Sequence, residues 1–189
     1  ATTPQPITTR PRLTEVNGKP VIVVGTGRYL GTSDITDTTM QSVYAVKDSL
    51  TNTGLGDVRN NNTLVQQTFS VSGNTATITN QTVNWATNNG WWVDLPHSGE
   101  RLSTDIALQS GVLAIGTAIP TGDACSSGGS SWNYTLSTSN GSALQNVAGS
   151  LVSANSVIVG QSFVRMADGR LRLLRQLSDG STSLEETPT

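Results

Sequence analysis

Charge is scarce in this chain. Only 13% of its 189 residues are Asp, Glu, Lys or Arg, against roughly 25% in an ordinary soluble domain. Lysine occurs twice, as Lys19 and Lys47, so the Ala/Glu/Lys/Leu-rich surface of a coiled coil or helical bundle is missing. A formal net charge of −2 removes the basic face that a nucleic-acid reader needs. No apolar run approaches the ~18 residues of a membrane-spanning helix; residues 21–24 are typical of the runs present. Cys125 is the single cysteine, which excludes an intrachain disulfide or a cysteine-built zinc cluster. It reads as a buried small hydrophobe in preference to half of a bridge to another segment. The single histidine, His97, has no G-x-S-x-G elbow to serve and reads as a solvated loop side chain. Glutamate totals four, two of them at Glu185 and Glu186, which leaves few acids for hydrolysis. Asp94, Glu100 and Asp105 are the carboxylates close enough in sequence to be weighed as a glycosidase-like pair.

Thr, Ser, Asn and Gly take the place of charge, together supplying 82 of the 189 residues. These types are poor in helix interiors and frequent in strands, turns and hydrogen-bonding loops. Residues 12–16 and 19–25 flank Asn17-Gly18, a strong hairpin signal. Further strands are expected at 42–48, 63–71, 75–79, 91–95, 101–108, 112–119, 132–137, 156–159, 163–167 and 170–176, with long loops at 50–62 and 121–130. No window has an apolar face at helical spacing, and 142–155 is left without an element. Pro4, Pro6 and Pro11 make 1–11 an extended lead-in; 12–177 is the folded body and 178–189 a flexible tail. The chain opens on Ala1 with no basic-then-apolar leader, which reads as a mature, processed or excised piece. Short strands at regular spacing between Gly, Asn and Asp turns indicate an all-β sandwich, barrel or set of propeller blades. Apolar strands that end in glycine, at Val24-Gly25, Ile115-Gly116 and Val159-Gly160, favour blades meeting at a crowded centre.

Several motifs have the residue types that chemistry needs. Gly25-Thr26-Gly27-Arg28-Tyr29-Leu30-Gly31 follows an apolar strand as a dinucleotide fingerprint would, with Asp48 some twenty residues on. Leu30 stands where the third glycine belongs, and the Thr- and Asp-rich residues after it offer no helix to receive a pyrophosphate. The glycines therefore read as turn and close-approach positions. Asp34-Ile35-Thr36-Asp37 and residues 57–62 are oxygen-rich but depart from the calcium-loop pattern, so both read as turns. Four N-x-[ST] sequons, at Asn61, Asn80, Asn133 and Asn140, carry little weight in a chain of this composition. Strand alternation puts Trp91 and Trp92 on opposite faces, one in the core and one outward, covering a neighbouring blade. Arg165, Arg170, Arg172 and Arg175 read as a solvated strand edge kept from aggregation by charge.

Four ordered blocks resemble the C-terminal domain of the PilC/PilY family of type IV pilus tip adhesin and biogenesis proteins. The first is Gly25, Gly27, Arg28, Tyr29 and Gly31 with Asp34. The second is Gly90-Trp91-Trp92-Val93-Asp94-Leu95 with Gly99-Glu100-Arg101. The third is 111–117 with Pro120, Asp123, Cys125 and Gly128-Gly129, and the fourth is Trp132 to Leu136 with Asn140-Gly141. The resemblance spans roughly residues 19–165. It implies a quinoprotein-like antiparallel β-propeller, of which this chain would supply the C-terminal three to four blades. It also implies a non-enzymatic protein of the pilus tip, exported through the periplasm, acting in attachment, pilus biogenesis and twitching motility. Minor pilins and the rest of the parent chain would be its partners, with a host or surface receptor as a further one. The family's calcium loop has no counterpart here, so no cofactor or metal is expected in this chain. A secreted β-sandwich that binds carbohydrate through Trp and Asn loops is the alternative from another class.

Overall fold

The computed structural model describes residues 4–121 and 128–187. In chain order the strands are β1 (Arg12–Val16), β2 (Lys19–Gly25), β3 (Ser42–Lys47), β4 (Val65–Gln67), β5 (Phe69–Ser72), β6 (Thr75–Ile78) and β7 (Gly90–Asp94). They continue with β8 (Ala107–Gln109), β9 (Val112–Pro120), β10 (Gly129–Ser137), β11 (Gly149–Ser153), β12 (Ile158–Arg165), β13 (Leu171–Leu177) and β14 (Thr182–Glu186). One 3-10 turn, Thr32–Asp34, is the only helical element among the described residues. The chain is all-β, in three sheets ordered β1-β2-β3-β7-β4, β5-β6-β11-β10-β9-β8 and β12-β13-β14. Every pairing is antiparallel except the short β4–β7 ladder.

Side-chain alternation stacks these sheets. Val21 and Val23 of β2, Val43 and Ala45 of β3, and Trp91 and Val93 of β7 point to one side of the five-stranded sheet. They meet Leu113 and Ile115 of β9 and Trp132, Tyr134 and Leu136 of β10 in a single large core. The other face of the six-stranded sheet is built of small residues. Ala107 and Ala114 there meet Phe163 and Leu173 of the third sheet, and Gln161 donates from β12 to the carbonyls of Asp105 and Ala114. The outer face of the five-stranded sheet carries Val24, Tyr44, Val46 and Trp92, roofed by Val58 and Leu64 of the long loop. The order of layers is thus loop, first sheet, second sheet, third sheet.

The expected hairpins at Asn17-Gly18, 72–74, 109–111 and Asp168-Gly169 are all present. Other expectations need correction. Residues 63–71 are not one strand. The chain changes sheets at Thr68, where the buried Gln67 amide spans the corner by donating to the carbonyls of Gln81 and Asn140 and accepting from Thr79. Residues 101–108 form a ladder only at β8, preceded by one bridge from Arg101 to Ala118. The strands expected at 156–159 and 163–167 are one strand, β12, with a bulge between Ile158 and Gly160. β11 was not anticipated, because GSLVS carries too little alternation to stand out. Nor do residues 182–186 trail as a tail; they form β14, with Leu184 opposite Leu174. Trp92 does face away from Trp91, but the loop of its own chain covers it in place of a neighbouring blade.

Candidate functional site

Part of each resemblance block folds onto one junction beside the main core. Its base is the end of β2, where the chain must pass the 99–102 segment at close range. Gly27 has φ +146°, and a Cβ there would stand 2.6 Å from the Leu102 carbonyl and 2.7 Å from Arg101 Cβ. No side chain fits that approach. Leu102 N donates to Thr26 O at 3.0 Å and seals the contact.

Arg101 is the pin. Its guanidinium is buried and donates to the carbonyls of Gly99 (2.8 Å), Arg28 (3.0 Å) and Asp34 (2.5 Å), and also to that of Asp37. Among the described residues no carboxylate pairs with it directly. Burial pushes the guanidinium below its ordinary value, while the nearby charges of Asp37 and Asp34 act in the opposite direction. A planar fork with five donors is the group suited to this cage of carbonyls. Arg28 turns the other way and pairs with Asp34 at 2.7 Å. The same carboxylate accepts from the main-chain N–H groups of Leu30 (2.9 Å) and Gly31 (3.1 Å). The Leu30 amide, then Arg28 and Gly31, holds Asp34 below the usual carboxylate range against the opposing effect of burial. Tyr29 reaches across to donate to Gly128 O at 2.9 Å, tying the β2 end to the start of β10.

Beside Arg101, Glu100 is buried in a second network. Its Oε1 accepts from Thr117 Oγ1 at 2.5 Å and Tyr134 OH at 2.8 Å. Its Oε2 lies 2.7 Å from His97 Nδ1 and 3.2 Å from the His97 amide nitrogen. Burial, followed by the charge of Glu100, pushes the Tyr134 phenol up. The His97 ring packs 4.5 Å from Trp132, which stacks in turn on Tyr134. His97 is therefore not a solvated loop side chain; it is a wall of this network, with a quarter of its side chain exposed. Sequence reasoning missed it because nothing in residues 96–100 shows that Glu100 is buried, and it is this buried carboxylate that draws the ring inward.

Trp91, Trp92, Asp94 and Leu95 belong to β7 and its exit. Trp91 is in the main core, with Nε1 donating to Thr138 O at 2.9 Å, and Leu95 is buried beside it in that cluster. Asp94 accepts from Ser42 Oγ and, at 2.7 Å, from Arg59. Arg59 also lies 4.1 Å above the Trp92 ring and donates to Ser42 and Tyr44. Asp94, then Tyr44, raises the Arg59 guanidinium above its ordinary value, with burial opposing. Nothing in the Asn- and Gly-rich run around Arg59 marked it as the clasp of the loop.

The three carboxylates weighed as hydrolytic acids are held apart in role: Asp94 by Arg59, Glu100 in the buried network, and Asp105 by Arg10 and Arg12. Asp37 and Asp57 close their own turns, accepting from Thr39 N and from Arg59 N and Asn60 N. Among the described residues no three His, Cys, Asp or Glu side chains gather as a metal cluster. The arginine edge is paired within the sheet, with Arg172 bonded to Glu186 and Arg175 to Glu185. Gly129 begins β10. Cys125 and Asp123 lie outside the described residues.

The chain is similar to a pilus biogenesis factor. A curated PilY1 homolog, a type IV pilus biogenesis factor of Xylella fastidiosa (strain Temecula1 / ATCC 700964), is 28% identical over 130 residues, 65% of this chain. The aligned stretch is only 9% of that relative's length. No family model matches the chain, and no solved structure matches it. No helix among the described residues is long and apolar enough to cross a membrane.

Proposed function

We propose that this chain is a non-enzymatic segment of a type IV pilus biogenesis protein, its three sheets serving as consecutive blades of a larger β-propeller. The observation that carries this reading is the convergence of the resemblance blocks. Gly25, Gly27, Arg28, Tyr29, Asp34, Glu100, Arg101, Gly128 and Trp132 are spread over some hundred positions, yet they meet in the two adjoining networks around Arg101 and Glu100. Residues that interlock in this way have a reason to occur together in one family. The stacking of the sheets supports the blade reading: β1, β8 and β12, each an edge of its own sheet, line a common groove, as inner strands of neighbouring blades do.

In this role the junction holds successive blades together, and exposed loops make the contacts. Minor pilins and the remaining parent chain are the partners, at an exported, pilus-tip location, with effects on attachment and twitching motility. The role needs no cofactor within this chain. A free-standing β-sandwich that binds carbohydrate has one observation in its favour, the single core shared by the five- and six-stranded sheets. Against it, the stacked pair Tyr44 and Trp92, the natural platform for a sugar ring, lies beneath Val58, Arg59 and Leu64.

The test is an in-frame deletion of residues 12–177 from the parent gene, with surface pili counted by electron microscopy and twitching zones measured. Loss of surface pili at an unchanged total pilin level is the expected result. Normal piliation and normal twitching would refute the role.

A further inference from the structure

The groove between the three sheet edges has a chemistry of its own. It is about 480 Å³ in volume and is lined by Arg12 and Leu13 of β1, Leu108 and Gln109 of β8, and Gln161 and Phe163 of β12. In antiparallel ladders the residues that bond to the partner strand alternate with residues whose N–H and C=O point to the other side. The turn at Asn17-Gly18 has φ 52° and 71°, a two-residue hairpin loop in which Val16 and Lys19 form the closing bonded pair. Counting back in twos, Thr14 and Arg12 bond to β2, and Leu13 turns its main-chain groups to the free edge. The turn at Ser110-Gly111, with φ 50° and 79°, gives the same result for β8. Gln109 and Ala107 bond to β9, and Leu108 faces outward. On β12 the count starts from Met166 N, which donates to Arg170 O at 2.9 Å. Val164 and Ser162 then bond to β13, leaving Phe163 and Gln161 facing out. All four outward residues line the groove.

Three strand edges thus direct unpaired main-chain donors and acceptors into one place, beside a leucine that is 75% exposed. Exposed edges are ordinarily blunted by Pro, Lys, bulges or a covering loop. Here Pro11 and the β12 bulge flank the groove, while side-chain bonds hold the edges between them open and in position. Arg12 Nε donates to Ile106 O at 2.5 Å, and Gln161 Nε2 donates to Asp105 O and Ala114 O. Among the described residues no segment of this chain lies in the groove. Residues 4–11 are tied to the 27–42 region through Gln5 and Thr8, and β14 is engaged by β13. At the Arg12 end, Arg10 and Arg12 share the single carboxylate of Asp105, which leaves one positive charge unmatched.

We propose that this groove receives an extended strand of a separate polypeptide, which pairs by its main chain with the free edge of β1 at Leu13 and packs its apolar side chains against Leu108 and Phe163. The strand is apolar at alternate positions and carries an acidic residue at the end that meets Arg10 and Arg12. Main-chain pairing supplies the affinity and the apolar positions the selectivity, as in strand addition generally. The proposal stands independently of the pilus assignment, since it uses only the sheet edges.

The full chain is titrated with a panel of synthetic heptapeptides alternating Val, Leu or Phe with Ser or Thr and bearing one terminal Asp, while backbone amide exchange is followed by NMR. Bound members are expected to slow exchange at Leu13. Methylating the peptide nitrogens in one of the two alternating registers weakens binding about tenfold, the other register much less. Leu13→Pro removes an edge N–H that serves no ladder, a position where proline is tolerated; it weakens binding without lowering the melting temperature. Binding with protection elsewhere on the molecule, equal binding by both methylated registers, or no binding by any member at millimolar peptide would each overturn the proposal.

Discussion

Arg101 offers the sharpest test of the junction. Arg101→Met keeps much of the bulk and removes every donor. Four main-chain carbonyls, those of Gly99, Arg28, Asp34 and Asp37, lose the guanidinium that joins them. A buried acceptor left unpaired costs about 1–3 kcal/mol, and four such losses taken in full would approach the whole stability of a domain, ~5–15 kcal/mol. The full sum is not expected, because Arg28 is half exposed and water entering on its side can satisfy part of the cage. The loss is set at about 3–5 kcal/mol, the middle of the range for two of the carbonyls left unpaired at about 1–3 kcal/mol each. For a chain of this length that lowers the melting temperature by roughly 10 °C, at ~2–4 °C per kcal/mol. Arg101→Lys keeps the charge, but one ammonium with three donors cannot span four carbonyls; its loss is about 2 kcal/mol. Urea unfolding followed by tryptophan fluorescence measures both, with the slope unchanged and the midpoint lowered. A Met variant within about 0.5 kcal/mol of the parent chain, the range of an ordinary surface substitution, would refute the pin.

Three other outcomes follow from the same geometry. Glu100→Gln replaces one acceptor oxygen with a donor inside the His97–Thr117–Tyr134 network, and is expected to cost about 1–3 kcal/mol by urea unfolding. Trp92→Ala removes the ring beneath Arg59 and frees the loop, so limited proteolysis should cut within residues 50–62 faster; Trp91→Ala should instead destabilise the whole chain by about 3–5 kcal/mol. The folded-state value of Asp34 is depressed, so its contribution is present above the unfolded-state value and is lost as pH falls through the folded one. Asp34→Asn should therefore flatten the loss of stability below about pH 4, measured by thermal scans across acid pH.

The sequence was most readable where a local rule acts alone. Asn17-Gly18 and Asp168-Gly169 announce their turns through residues that tolerate positive φ, and the all-β character follows from composition. The Gly25–Asp34 and Glu100-Arg101 blocks were visible as a pattern, but not their meeting, because the bonds of Arg101 run to carbonyls up to 73 positions away. Side chains that bond to main-chain carbonyls leave no compositional trace of their partners. Arg59 was hidden because its side-chain partners Ser42, Tyr44 and Asp94 lie 15 to 35 positions away, and His97 because nothing local shows that Glu100 beside it is buried. β11 and β14 were hidden differently: their alternation is blurred by half-buried serine and exposed glutamate, and only pairing with β10 and β13 makes them strands.

The reading of these sheets as blades is tested most directly by cryo-electron microscopy of the full-length parent protein. The stacked arrangement predicts one ring in which the three sheets occur as neighbouring blades, with β1, β8 and β12 turned toward its axis. A chain folded as a separate sandwich, linked to the rest of the protein but forming no part of a ring, would contradict it.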